Sequence, residues 1–332
     1  MNLKSTSYVM FVAALLCTMG CSGEPPETHY TVCHEGKCGV MNDEGKIVVP
    51  QTYDVAGQPS RTNQLVAVKL GESWGYSDFT GKLVINPQFE FAHTFDEGRA
   101  IVKQNKRYGV IDTENKWLIN PQFEGAAGPS DALMLIIRDG KYGYVDHKGV
   151  QVINPQFDDA ERFEDGLAAV RQGDRWGFID TKGSYVISPQ FDQAYSFHDG
   201  LAGVKQGESW GFIDREGTFV ISAQFELVGD FAHGLAPAKL INGQWGFVDQ
   251  KGAWVLAPGY DSAATPCQPN ILSIKREGAW GLIDKTGKEL IPAKYKYPLC
   301  FKGKLTLTVP IDEENVFVHI NREGKEVYRQ NF

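Results

Sequence analysis

The chain has no basic run, no phosphate-binding glycine loop and no long apolar run in its body. Each absence removes a class of function. Lys and Arg total 33 against 41 Asp and Glu, for a formal net charge of −8. An acidic chain without a clustered cationic patch has no electrostatic footprint for nucleic acid. The same holds for anionic lipid. The glycines never fall as G-x-G-x-x-G or G-x-x-x-x-G-K-[ST], so no nucleotide cradle is written. HExxH and G-x-S-x-G are also missing, and the seven histidines (29, 34, 93, 147, 198, 233, 319) are scattered through repeat slots as ordinary surface residues. No nucleophile is assembled with a base. Catalytic residues, metal ligands and cofactors are therefore all expected to be none, and the chain reads as a non-enzyme. What it has instead is 36 Gly and 12% aromatic residues, a composition that suits short strands joined by many turns.

The N-terminus differs from everything after it. Lys4 precedes an uncharged stretch, Ser5–Gly20, with its apolar heart at Tyr8–Leu16. That heart is shorter than the ~20 apolar residues of a spanning helix, and small residues and a cysteine follow, as in an export signal. "LCTMGCSGEPP" resembles the lipobox of bacterial lipoproteins, with Gly20 before Cys21 and Thr18 where that family prefers Leu. The resemblance implies a signal peptide at 1–20, an acylated Cys21 and a Pro-containing tether over 21–29. It also implies a lipid-anchored protein of the bacterial cell envelope. Ser22 stands where some inner-membrane lipoproteins carry Asp, which leans to the outer membrane. Loss of residues 1–20 removes Lys4 as the sole charged residue and leaves a net charge of −9.

With Cys17 removed and Cys21 acylated, four cysteines remain: Cys33, Cys38, Cys267 and Cys300. An even number in an exported chain suits disulfides. Cys33 and Cys38 flank "HEGK", a tight hairpin turn, so a cross-strand bridge is plausible there. Cys267 and Cys300 lie 33 apart in the same connecting loop of successive repeats, where stacking would bring them together.

Self-comparison sets the organisation. An aromatic-Gly pair recurs at Trp74, Tyr108, Tyr142, Trp176, Trp210, Trp245 and Trp280, at spacings of 34 or 35. Cys38-Gly39 is a degenerate earlier copy and Phe317 begins a degenerate last one. A second aromatic keeps step at Tyr53, Phe89, Phe123, Phe157, Phe191, Phe225, Tyr260 and Tyr295. A fixed period of this length is the mark of a repeat array, so residues 30–332 form a single domain. The pattern "WGFID-x-x-G-x-x-VI-x-PQFD" resembles the WG (KWG) repeat of bacterial proteins. That resemblance implies an all-β repeat protein and brings no catalytic residues with it.

Each letter of the unit has a physical reading. In Asp180–Gly183 the Asp is a turn acceptor and the Gly takes φ > 0. The glycine slot is filled at 45, 81, 149, 183, 217, 252, 287 and 324, and its exception is Asn115, the residue that best tolerates left-handed geometry. Gly177 leaves a gap for close approach. Pro189 is expected to end the second strand, since it cannot donate to a ladder, and the following "PQFDQAYSF" reads as an irregular connection. A second aromatic slot in that connection holds Phe95, Phe163, Phe197, Phe231 and Phe301, with Pro59, Pro129 and Pro266 in three units. The Asp series (78, 112, 146, 180, 214, 249, 284) reads as one turn acceptor per unit rather than a row of calcium ligands. The aromatic row reads as interface core rather than a sugar-stacking platform.

The expected architecture is all-β: eight to nine tandem three-stranded meander modules of ~34 residues in an open, curved β superhelix or solenoid. A closed propeller-like ring is the alternative, disfavoured because the unit is shorter than the ~40–50 residues of ordinary propeller blades. The expected function is a binding or scaffolding module. Its partner would be an envelope protein or, alternatively, a cell-wall glycan such as peptidoglycan, the latter possibly with hydrolytic activity. The recognition surface is expected in the variable connections "EFAHT", "DDAER", "DQAYS" and "ELVGD".

Overall fold

A computed structural model describes residues 28–331, except positions 61, 129, 242, 302, 311, 314 and 315. The signal peptide at 1–20, Cys21 and Pro129 lie outside the described residues. Every regular element described is a strand, and the strands form nine small antiparallel sheets in chain order. Blade 1 (Tyr30–Tyr53) and blade 9 (Leu305–Asn331) have three strands each. Blades 2 to 8 begin at Val55, Phe91, Gly125, Asp159, Gln193, Leu227 and Ser262, and each has four. The three-stranded expectation omitted the first of these four, which is only two residues long in six of the seven blades.

Blade 5 shows how the repeat builds a sheet. Asp159–Ala160 is the short inner strand, followed by Leu167–Gln172, Arg175–Asp180 and the outer strand Tyr185–Phe191. Asp180 turns the chain into the outer strand: its Oδ1 accepts the backbone N–H of Lys182 and of Ser184, both at 2.9 Å. Gly183 takes φ +84 there, and Asn115 takes φ +64 in its own copy. The outer strand does not stop at Pro189. It runs on to Phe191, which pairs with Trp176, while Ile187 pairs with Phe178. Two residues on one strand thus span four on the other, and Pro189 sits in the bulge. A bulge needs no ladder donor, so proline is tolerated where a regular strand would reject it. The bulge folds over the Trp-Gly strand, and Gly177 is the residue it covers.

From the outer strand the chain reaches the next blade through a single residue. That residue is an acid in seven junctions: Asp54, Glu90, Glu124, Asp158, Asp192, Glu226 and Asp261. Asp192 Oδ2 accepts the Gly207 N–H at 2.7 Å, and Oδ1 pairs with Arg175 Nη1 at 2.5 Å in the blade behind. One carboxylate therefore stitches the hairpin of one blade to the hairpin of its neighbour. This economy of connection is how a 34-residue unit builds a blade that ordinarily takes more.

The blades pack face to face, and both faces of the Trp-Gly strand are covered. Phe178 points into the core shared with blade 6, and Ile179 into the core shared with blade 4. Phe178 meets Phe197 of the next blade edge-on, with centroids 4.8 Å apart, and Tyr76–Phe95, Tyr144–Phe163 and Phe212–Phe231 repeat the contact. A fully buried ring contributes roughly 1.5–3 kcal/mol on burial, so a blade stripped of its neighbours loses most of its core.

Nine separate apolar cores are present, one for each pair of adjacent blades. An open row of nine blades has eight interfaces. The ninth joins Tyr30, Val32 and Met41 of blade 1 to Leu305, Val327 and Tyr328 of blade 9. Across that seam Gln330 Oε1 accepts the Cys33 N–H at 2.6 Å, Gln51 Nε2 donates to Tyr328 Oη at 2.8 Å, and Leu305 N–H donates to Tyr30 Oη at 3.0 Å. The open superhelix is thereby corrected to a closed nine-bladed β-propeller. Thr28 and His29, expected in the tether, pack on the ring: Thr28 N–H donates to Asp43 at 3.3 Å, and the His29 and Phe79 rings lie 4.3 Å apart.

Candidate functional site

The short inner strands form the sheet edge opposite the outer strand in each four-stranded blade and line the axis. His93 of blade 3 feels the charge of Arg162 in blade 5, and Glu161 of blade 5 that of Asp230 in blade 7. Such reach across two blades agrees with positions near the axis. The four variable stretches singled out in sequence are these strands and the turns that follow them. Their conserved-size members, Ala92, Ala160, Ala194 and Val228, are buried between blades. The residues on either side alternate to the other side of the strand and vary between blades: Phe91 and His93, Asp159 and Glu161, Gln193 and Tyr195, Leu227 and Gly229.

Polar chemistry gathers on the wall of blades 5 to 7. Burial pushes the Glu161 carboxyl above the usual carboxylate range, and nearby Asp159 adds to it. Burial likewise raises Asp230, opposed by His198, whose Nε2 lies 3.9 Å from Asp230 Oδ2. Glu164 is raised by burial, and Arg162 Nη2 lies 4.0 Å from it. His93 is lowered, first by burial and then by Arg162. The Asp230 side chain keeps 41% of its surface accessible, so these are recessed but wetted groups. Such an arrangement can bind a charged ligand. Among the described residues no group of three or more His, Cys, Asp or Glu is placed to hold a metal ion.

The remaining predicted positions fall into the frame. Cys33–Cys38 is a disulfide directly across the first hairpin, and Cys267–Cys300 joins blade 8 to the segment entering blade 9. Each Asp of the turn series accepts two backbone N–H groups of its own turn, as do Asn42 and Asn321. The aromatic row belongs to the interblade cores: Trp210 and Trp280 are buried, and Trp74, Tyr108, Tyr142, Trp176 and Trp245 pack against cores from their margins. His319 departs from the surface expectation. It is 1% exposed, fills the slot held by Phe178 in blade 5, and lies between the rings of Tyr30 and Tyr328. Two clefts of about 540 and 460 Å³ open between blades 5 and 6 and between blades 7 and 8, on the face of the D-x-x-G turns. Arg215, Glu216 and Val186 line the first, and Leu235, Val255 and Lys285 the second.

Sequence reasoning missed the axial convergence. The residues involved sit in separate repeats, 34 or 69 positions apart, and only ring closure brings them together. A slot-by-slot alignment of the repeats would have shown that charged and aromatic side chains occupy these slots in blades 3, 5 and 6, where blade 4 has Gly125 and Ala127.

Nine blades around an axis whose wall varies from blade to blade define the chain as a β-propeller repeat protein. The profile of the WG containing repeat matches residues 74–108, 108–142, 142–176, 176–209, 210–245, 245–266 and 280–303. The chain belongs to that family. Among curated proteins, none matches it. Among solved structures it is similar to the eukaryotic initiation factor, at 11% identity and a TM-score of 0.65 over 92% of this chain and 96% of that one. It is also similar to the dihydro-heme d1 dehydrogenase NirN in complex with DHE (12%, TM-score 0.48, 92% and 78%). A third is BamB from Moraxella catarrhalis (12%, TM-score 0.45, 90% and 94%). At these identities the likeness is one of fold.

Proposed function

We propose that the protein is a non-catalytic binding or scaffolding module for a protein partner, held at the bacterial envelope, at the outer membrane, by acylation of Cys21. One observation carries the binding reading. The residues that recur from copy to copy are spent on turns, bulge cover and blade cores, whereas the slots flanking the buried inner-strand residue vary from blade to blade. A constant frame presenting a variable wall is how repeat proteins achieve recognition. The aromatic row that suggested a glycan platform is engaged in blade packing, which favours a protein partner. The anchor rests on the lipobox resemblance around Cys21.

Two measurements test this. Cys21→Ser is expected to move the protein from the membrane fraction to the soluble fraction, and unchanged retention removes the anchor. Photo-crosslinkers placed at Gln193 and Glu161 are expected to capture one envelope protein in cells, and crosslinkers at outer-strand Asn154 and Gln190 are not. Capture of the same protein from both sets, or from neither, overturns the axial binding reading.

A further inference from the structure

Blade 6 departs from its neighbours in a coordinated way. Its inner strand, Gln193–His198, runs for six residues, against two in every other four-stranded blade. Pairing to Leu201–Gln206 is bulged between Ala194 and Phe197, so Tyr195 and Ser196 are left off the ladder. A bulge of this kind re-aims a side chain. Here it lays the Tyr195 ring flat on Trp210, with centroids 4.5 Å apart and planes 16° from parallel. The chain has cleared room for it. A β-carbon on Gly203 would lie 3.1 Å from Tyr195 Cδ2, and the same slot holds Ala67, Ile101, Leu135 and Ala169 in blades 2 to 5. Trp210 is left 2% exposed beneath the tyrosine, which itself keeps 37% of its surface. A ring stacked on Trp210 that keeps 37% of its surface exposed is a rigid platform.

Carboxylates stand next to that platform: Glu161 fills the Tyr195 slot in blade 5, and Asp230 follows the inner strand of blade 7. Asp230 is close enough to act electrostatically on both Tyr195 and Glu161. The basic side chain beside it is His198, 3.9 Å away, an imidazole rather than a permanent cation. Arg162 acts on Glu161 and also lies 4.0 Å from Glu164, so one guanidinium serves two carboxylates. A π-face flanked by Asp230, paired with an imidazole, and Glu161, which shares Arg162 with Glu164, repels anions and favours an ammonium or guanidinium group.

We propose that Tyr195, with Asp230 and Glu161 beside it, receives a lysine or arginine side chain from a basic segment of the protein partner. The proposal rests on the binding-module reading and names the chemistry of its partner. The cation lies over the open face of Tyr195, and its N–H groups reach the carboxylates. The Trp210 stack keeps the platform ordered before the ligand arrives, which lowers the entropy lost on binding.

The test uses the full chain in detergent, with capped hexa-arginine and hexa-lysine peptides as probes, hexa-glutamate as the control and lysine amide as the free cation. Basic peptides are expected to bind, more weakly as salt rises, and hexa-glutamate is not. Asp230→Asn and Glu161→Gln are each expected to lower affinity about tenfold. Tyr195→Phe keeps the π-face and is expected to stay within about threefold, while Tyr195→Ala loses about tenfold. Because Tyr195→Ala uncovers Trp210, its melting temperature is measured alongside, and the two carboxylate variants decide the matter if it unfolds. No binding of basic peptides, or affinity unchanged in Asp230→Asn and Glu161→Gln, overturns the proposal. Lysine amide binding as tightly as hexa-lysine overturns the assignment to a peptide. Peptide binding lost while axial crosslinks to an envelope protein persist removes this site and leaves the module reading; peptide binding without such crosslinks does the reverse.

Discussion

The place where a β-carbon on Gly177 would sit is 2.5 Å from the carbonyl oxygen of Ile187 and 2.7 Å from the Pro189 nitrogen. The same overlap, at 2.2–2.7 Å from the matching carbonyl, recurs at Gly39, Gly75, Gly109, Gly143, Gly211, Gly246 and Gly281. The neighbouring atoms are backbone held by a bulge, so they have no rotamer by which to yield. Gly177→Ala is expected to cost about 3 kcal/mol or more by overpacking. Gly173, at φ +61 with nothing within 4 Å of its β-carbon position, is the matched control and is expected to cost only about 1 kcal/mol as Ala. Urea midpoints of the two variants measure the difference, and equal losses would refute the close-approach explanation.

The turn aspartates make a second expectation. Asp180→Ala leaves two turn N–H groups without their acceptor and is expected to destabilise by about 1–2 kcal/mol. Asp180→Asn keeps an acceptor oxygen, as Asn42 and Asn321 do, and should fall within about 0.5 kcal/mol of the parent. Chelator should leave the melting curve unmoved. A chelator-induced drop would return the aspartates to the role of calcium ligands.

The ring seam should respond to acid through His319. Burial lowers its pKa from 6.5 to about 4, so the folded ring refuses a proton that the unfolded chain accepts. Stability is full above pH 6.5, falls as pH drops from 6.5 towards 4, and levels off below that. A shift of this size corresponds to roughly 3 kcal/mol over the window. His319→Phe, which places there the ring found in blades 5, 6 and 7 (Phe178, Phe212 and Phe247), is expected to flatten that part of the profile. Denaturation at pH 7.5 and pH 5 checks it, and an identical slope in the variant would show that another group is responsible.

The two disulfides should differ in weight. Cys267–Cys300 closes a separation of 33 residues and Cys33–Cys38 one of 5. Loop-closure entropy assigns about 4 kcal/mol to the first and about 2 kcal/mol to the second. Paired Cys→Ser variants, compared by urea unfolding, give the ranking; the short loop proving the costlier loss would overturn it.

Much of the frame was legible from local rules. The D-x-x-G turn needs a short acceptor and a left-handed residue, so Asp180, Gly183 and the Asn115 exception declared themselves. Gly177 announced a close approach, although what approaches it was not visible. Pro189 misled, because a proline that ends a regular strand is accommodated in a bulge. The short inner strand was invisible as well: two residues carry no period from which pairing can be read.

The chain's own letters determined the repeat, its turns, its all-β character and the pairing of its cysteines within one hairpin and one loop slot, because these depend on neighbours a few residues or one period away. Closure did not. Whether nine wedges make a ring or a superhelix depends on a small rotation per blade, summed eight times, and no local pattern reports it. Only the tertiary structure decided that Tyr30 meets Tyr328 across a seam, and that Glu161, Tyr195 and Asp230, from three different repeats, share one wall of the axis.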